Sequence, residues 1–440
     1  MKQSHGVYFG NASVSLVSND SHIKPTLVVP KGEVEYKKGV IAPWGEDNLY
    51  PQKFIDAIRL NGAASGGLNL LKSAHYGNGL TFYKNEKSET TGKREKVISY
   101  REDHPELNLF YKRNKLNKFF IETIGDLETF GIAFPSFIIS KDFKKIVKAT
   151  RQKTAWGRRE LANPSSGFSE RVYFKSLWDD EETSRASKIA SVDPMWCMEE
   201  IKEYCAQKKL YEFVFPIHYG MMDEAYYPKL TWHAIYHNGW LEVSNSIPKY
   251  KKHLFENQLN IKFVVYIADE YFEQIYGDEW EEYKADKRKT IREETIKAID
   301  DHLSGNKSSG RSMYAKKIQS ADGKWEKGIE VEAIDNKMKD GSYLPDASAA
   351  NTEILFSMGV DASLIGAGVP GGNMGSGSGS DKRIAFSILS ALFKTKRDTT
   401  LEIWELLQDW NGWDVELQAG FENIMLTTLD KNPNGQQTGV

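Results

Sequence analysis

Apolar positions recur along most of this chain, but their period changes from segment to segment. Gln52–Leu60 carries Phe54, Ile55 and Ile58 at helical spacing, just after Pro51, a residue favoured in a first helical turn. Ser65–Tyr76 repeats the pattern with Leu68, Leu71 and Ala74. Gly77-Asn78-Gly79 stops it, and Leu80–Tyr83 reads as a strand. Residues 85–100 are polar and read as a loop. Glu106–Phe130 predicts one long helix through Leu109, Leu116, Phe119, Phe120, Ile124 and Leu127. Gly131 closes it and Ile132–Ser140 reads as a strand. Residues 141–230 mix short apolar runs, among them Val172–Leu177 and Phe213–His218, with Pro194 and Pro216. That mixture predicts α+β structure rather than regular βαβ repeats.

Lys229–Gln258 predicts a second long helix, striped by Trp232, Ile235, Tyr236, Trp240 and Val243, which Pro248 should kink or divide. Asn260–Ala268 reads as a strand and Asp278–Leu303 as a highly charged helix. Ser312–Gln319 and Ile329–Ile334 read as strands about a turn at Asp322-Gly323. A helix follows over 346–358, with Asp346 as its N-cap and Gly359 as its stop. Next comes Gly366–Ser380, GAGVPGGNMGSGSGS, in which ten of fifteen residues are Gly or Ser. Such a run predicts a mobile loop, and a loop of this length inside a compact domain is uncommon unless it is functional or disordered. Behind it, Ile384, Ile388, Leu392, Ile403, Leu407 and Trp410 predict one more helical face, ending at Gly412.

Composition narrows the picture. A chain of 440 residues, 40% hydrophobic and 27% charged, has room for two or three packed domains. A formal net charge of −3 argues against a strongly basic nucleic-acid wrapper, but not against a protein that handles DNA without adhering to it. Cys197 and Cys205 are too few for a disulfide scaffold and suit no common zinc spacing, so two reduced thiols are expected. Met1–Asn19 has no continuous apolar run of the signal-peptide kind, and no stretch approaches bilayer length. A soluble protein of a reducing compartment is expected.

Candidate chemistry is sparse. Gly366-x-Gly368-x-x-Gly371 has the letters of a dinucleotide fingerprint, but a helix rather than a strand precedes it, and the next helix starts too late to receive a pyrophosphate. It also lacks the Lys-Ser/Thr end of a P-loop. There is no HExxH and no GxSxG. His233 and His237 share a helical face, without the acidic partner of a metal site, and are expected to be structural. Asp269-Glu270, Asp278-Glu279 and Asp300-Asp301 are acidic pairs set among other charges. The mixed charges of 278–303 predict a solvated face, or one that meets a partner. No catalytic residue, cofactor or metal is expected.

Two phrases resemble the portal proteins of tailed bacteriophages. One is Trp44-Gly45-Glu46-Asp47-Asn48-Leu49-Tyr50-Pro51, then a helix, then Gly77-Asn78-Gly79-Leu80. The other is Ser357-Met358-Gly359-Val360-Asp361-Ala362-Ser363-Leu364-Ile365-Gly366, then the Gly/Ser loop and a long helix. Asp361-Ala362 stand where proline is common in the family. The order of elements over about 41–412 is similar to the family's as well.

The resemblance implies an α+β, portal-like fold in a ring, expected to hold twelve subunits, at one capsid vertex. By order of parts it implies an N-terminal arm (1–40), a wing (41–228), a first stem helix (229–258), a small α+β clip (259–335) and a second stem helix (336–360). A tunnel loop (361–380), a supporting helix with C-terminal wing and small crown (381–431), and a disordered tail (432–440) would follow. Gly366, Gly368, Gly371, Gly372, Asn373, Met374, Gly375 and Ser376 would face DNA, and Asp381, Lys382 and Arg383 would begin the tunnel helix. Lys287, Arg288 and Arg292 would dock a terminase or an adaptor. The implied partners are further copies of the chain, non-specifically held double-stranded DNA, the terminase large subunit, the major capsid protein and a head–tail adaptor, with no membrane. The implied place is the virion, after assembly in the bacterial cytoplasm. A metal-dependent nuclease with a Gly-rich lid, and another ring component of a phage tail or contractile device, are the alternatives.

Overall fold

The computed structural model describes residues 6–9, 12–15, 36–87, 93–164, 167–180, 182–220, 226–258, 263–304, 314–319, 323–333, 344–365 and 379–424. They fall into two compact units, one of Met1–Asn245 with Leu344–Val440, the other of Ser246–Tyr343.

The first unit opens with strands β1 (Gly6–Phe9) and β2 (Ala12–Ser15), paired antiparallel. Helix α1 (Tyr50–Arg59) carries Pro51 in its first turn, where a missing N–H costs nothing, and buries Phe54 and Ile58. Asn61 caps α2 (Gly62–Tyr76), its Oδ1 accepting from Ala64 N at 2.9 Å. Strand β3 (Leu80–Lys87) pairs with β4 (Arg94–Ile98), a strand in the stretch expected to be loop. All of β4 is exposed, so it has no apolar alternation to betray it.

The expected helix 106–130 is two, α3 (Pro105–Asn114) and α4 (Leu116–Phe130). Lys115 turns left-handed between them (φ 49°), and Leu109 lies on the solvent side. Next come β5 (Ile132–Ile139) and β6 (Ile146–Gln152), then β7 (Gly157–Arg159), β8 (Arg171–Phe174) and β9 (Ser187–Ser191). Helix α5 (Met198–Lys208), β10 (Glu212–Val214) and β11 (Ile217–His218) complete a seven-stranded sheet of order β11-β5-β10-β9-β8-β7, with β6 on β5. Pro216, which has no N–H to donate, separates β10 from β11, and both then pair with β5. Strand β5 is buried along nearly all its length, which is why its sequence is a continuous apolar run.

The expected helix 229–258 breaks into a 3₁₀ turn (Thr231–His233), α6 (Ala234–His237) and α7 (Trp240–Gln258). The break falls at Gly239, whose positive φ costs a glycine nothing, whereas Pro248 sits within a continuous α7. Val243 is exposed, so the expected stripe stops short of it.

The second unit contains β12 (Phe263–Ile267), α8 (Asp269–Tyr276), α9 (Asp278–Glu282), α10 (Ala285–Ser304), β13 (Lys317–Gln319), β14 (Trp325–Lys327) and β15 (Ile329–Ala333). Extended backbone at Tyr283 separates α9 from α10, dividing the helix expected over 278–303. Strand β15 pairs with β12 and β13 with β14, and Gly323, just before β14, holds a positive φ of 80°.

The chain then re-enters the first unit with α11 (Leu344–Ser357), α12 (Ala362–Ile365), α13 (Gly379–Leu392), α14 (Lys394–Asn411) and β16 (Gln418–Phe421). Helix α11 starts before Asp346, which lies in its first turn rather than at its cap. Strand β16 pairs with β3, fastening the C-terminal segment to the N-terminal one. The core runs continuously from Trp44 and Phe54 through α4 and β5 to Ile403, Leu407 and Trp410.

Candidate functional site

The segment Trp44–Pro51 is clamped by an arginine. Arg158 is fully buried, and its Nε and Nη2 each donate at 2.5 Å to Asn48, at Oδ1 and at the carbonyl. Nη1 donates to Gly157 O at 2.8 Å. Asn48 holds a positive φ of 57° and its Oδ1 also accepts from Trp44 N at 2.9 Å. Trp44 in turn stacks on Tyr227 with ring centroids 4.2 Å apart. Burial lowers the Arg158 pKa to about 10, so the guanidinium stays charged at neutral pH and the hydrogen bonds offset its desolvation. The arginine follows a glycine in a polar stretch, and no periodicity marks it.

The expected loop residues Gly366, Gly368, Gly371, Gly372, Asn373, Met374, Gly375 and Ser376 lie outside the described residues. Their flanks are described. Asp381, Lys382 and Arg383 sit in the first turns of α13, Asp381 exposed and the two cations half-buried. Further along α13, Leu389 is buried, while Ile384, Ile388 and Leu392 are 59%, 58% and 67% exposed. At spacings of four residues these three form one bare apolar stripe. The expected continuous face therefore splits at Phe393, for Ile403, Leu407 and Trp410 on α14 are buried.

The inner face of α14 closes on a charged cluster. Glu128, wholly buried on α4, accepts at 2.8 Å from His75 Nδ1, at 2.8 Å from Tyr219 Oη and at 2.6 Å from Lys396 Nζ. His75 Nε2 lies 3.1 Å from Thr400 Oγ1, and burial lowers the pKa of the ring. Burial opposes ionisation of Glu128, but the His75 hydrogen bond and the Lys396 charge outweigh it and hold the carboxyl near 2. Arg397 donates to the carbonyls of His75 at 2.9 Å and Ala74 at 2.7 Å, binding the end of α2.

The outer face of α14 borders a cleft of about 1400 Å³. Glu402, Glu405 and Asp409 line one wall. Arg159, Ser169, Trp196, Met195 and His218 are among the residues of the other side. Glu402 is half-buried, and burial with the nearby Glu405 pushes its carboxyl up to about 7. Neither glutamate has an ion-pair partner among the described residues. Ser169 is 1% exposed, and its Oγ and the Nε of Arg159 have no hydrogen-bond partner there either.

In the second unit, the expected docking cations gather on aromatic rings. Lys287 Nζ lies 3.7 Å from the Tyr283 ring centroid, and the Arg288 and Arg292 guanidinium carbons lie 5.7 and 5.8 Å from that of Trp280. Arg288 is committed locally, donating to Tyr283 O at 3.0 Å and Glu281 O at 2.7 Å across the α9–α10 junction.

His233 proves structural, bonding Tyr50 Oη and Thr129 O at 2.9 Å each, with its pKa lowered by burial to about 4. Among the described residues no group of three or more His, Cys, Asp or Glu could hold a metal ion. No described helix is long and apolar enough to cross a membrane. Cys197 and Cys205 are free thiols, the first exposed and the second buried.

No protein-family model and no curated protein matches the sequence. Solved structures do match the fold. A chain in the neck of an empty gene transfer agent (GTA) particle, computed with C6 symmetry, is similar at a TM-score of 0.55 and 15% identity, over 88% of this chain and 86% of that one. A chain in the neck of a native GTA particle, computed with C12 symmetry, gives 0.56 and 14%, over 87% and 85%. One from the virion of a native GTA particle gives 0.56 and 14%, over 86% and 84%. Across most of its length the chain thus has the fold of a component of the neck of GTA particles, as expected of a portal or connector protein.

Proposed function

We propose that this chain is the portal subunit of a phage or phage-like particle, forming the ring at one capsid vertex through which double-stranded DNA enters and leaves. The observation that carries the reading is the likeness, over most of the chain, to neck components of particles computed with C6 and C12 symmetry. The phrases around Trp44–Pro51 and Ser357–Gly366 support it from the sequence side. A ring of identical subunits requires head-to-tail contacts that close by rotation. The bare stripe Ile384, Ile388 and Leu392 is a surface that such a contact would cover.

In this reading the Gly/Ser residues from Gly366 to Ser376 line the narrowest part of the channel. They carry no Lys or Arg, so they meet the DNA backbone by shape without the salt-dependent grip that each neutralised phosphate would add. Asp381, Lys382 and Arg383 begin the helix that supports them. Residues 259–335, with Lys287 and Arg292 outward, form the clip that receives the terminase large subunit and later the head–tail adaptor. The remaining contacts are with the major capsid protein. No step of this role requires catalysis or a cofactor.

Negative-stain electron microscopy and mass photometry of the purified chain test the reading. Closed rings with a central channel are expected, and a chain that stays monomeric or dimeric at high concentration overturns it. Deleting Gly371–Gly379 should leave the rings intact and impair DNA packaging or retention.

A further inference from the structure

The cleft beside α14 has three properties that do not fit a finished surface. Its volume of about 1400 Å³ exceeds the roughly 300–1,000 Å³ of ordinary small-molecule sites. One wall carries Glu402, Glu405 and Asp409, spaced by three and four residues on one helical face, with no cation paired to either glutamate among the described residues. Among the other lining residues, the buried Ser169 Oγ and the buried Nε of Arg159 have no hydrogen-bond partner among the described residues. Buried polar atoms are ordinarily satisfied. Apolar side chains complete the lining, with Met195 and Val415 each 81% exposed and Trp196 and Trp413 half-buried.

We infer that this cleft is the acceptor half of the subunit contact, receiving a cationic segment of the next copy of the chain. The inference rests on the ring reading above. Lys or Arg side chains of the incoming copy would meet Glu402 and Glu405. Its apolar side chains would cover Met195 and Val415. The chain supplies suitable cations. Lys112, Arg113 and Lys115 are exposed around the α3–α4 junction and form no ion pair among the described residues. A heterologous contact needs two unlike complementary surfaces on each copy, and an acidic cleft with a basic corner meets that requirement.

The test is a double charge reversal, Glu402→Lys with Glu405→Lys, against a control reversal of equal charge at exposed sites outside the cleft, Asp56→Lys with Glu86→Lys. Circular dichroism and thermal melting confirm that each variant folds. Ring fraction is then read by mass photometry as a function of salt. The inference expects at least a tenfold loss of rings in the cleft variant and near wild-type rings in the control. It also expects that folded cleft variant, mixed into wild type, truncates rings to open arcs, because each variant copy still donates but no longer accepts. Rings formed normally by the cleft variant, or lost equally in the control, overturn the inference while leaving the portal reading in place. Wild-type protein that forms no ring overturns both.

Discussion

Glu128 and Glu402 both lie against α14, one under its inner face and one on its outer face. Glu128 is wholly buried yet held ionised near 2, because His75, Tyr219 and Lys396 surround it. Glu402 is only half-buried yet pushed up to about 7, because its desolvation is met by no cation of the same chain and the charge of Glu405 adds to it. Burial alone does not decide a carboxyl's state. What decides it is whether the same chain supplies the partners. The inner face is complete within one subunit, whereas the outer face is complete only if something else arrives.

Breaking the complete face should have the largest effect. Glu128→Ala strands Lys396 and His75 around an empty site, and a buried pair broken on one side costs about 3–5 kcal/mol. Urea or thermal melting of the first unit's transition would read this loss. The same carboxyl sets an acid limit. Its pKa is depressed when folded, so its contribution is full above about 4.5 and fades as pH falls through that range towards 2. Melts of the wild type between pH 6 and pH 3 should show that loss, and Glu128→Ala should show less of it.

Next in size is the seam that brings the C-terminal strand to the N-terminal sheet. Gly77 has φ 55° and ψ −134°, and a Cβ there would collide with the carbonyl of Glu422, which accepts from Asn78 N at 3.0 Å. Gly77→Ala should cost about 2 kcal/mol or more, since a non-glycine residue is strained at this backbone position even without the collision. A melting temperature equal to that of the wild type would show that the seam yields freely.

A smaller effect of opposite sign is expected on the incomplete face. Ionised Glu402 is disfavoured by the fold, so stability falls as pH rises from about 4.5 through about 7. Glu402→Gln removes that penalty. The variant should be more stable than wild type by about 1 kcal/mol at pH 8, after allowance for solvent screening, with the difference vanishing near pH 4. Equal stability at both pH values would mean that the carboxylate is already compensated in the single chain.

The sequence disclosed elements whose burial follows a period and hid those whose role depends on distant partners. Strand β5 was legible because nearly every residue in it is apolar and buried. Helices α1 and α2 were legible from spacing together with Pro51 and Gly77. The break at Lys115 was not, because a lysine rarely turns left-handed and nothing local announces it. Asn48 stood inside a recognisable phrase, but its clamp Arg158 lies 110 residues away in a polar stretch. The Glu128 cluster draws on α2, α4, the segment after β11 and α14. The cleft likewise joins residues 159–220 to α14, so only the folded chain brings it together.

Helix α13 extends the comparison to side chains that carry no charge. Its stripe of Ile384, Ile388 and Leu392 continues in sequence into Ile403, Leu407 and Trp410, and both halves obey the same helical period. One half is exposed and the other wholly covered, so identical chemistry should give opposite answers to identical substitutions. Ile403→Ser should cost about 2–5 kcal/mol in the isolated subunit, through lost burial and a cavity. Ile388→Ser should change subunit stability by less than about 0.5 kcal/mol. If a second copy covers α13 in the ring, Ile388→Ser should instead raise the protein concentration at which rings first appear. An unchanged threshold would mean that this stripe faces solvent in the assembly too, and that the contact between copies runs through charge at the α14 cleft rather than through α13.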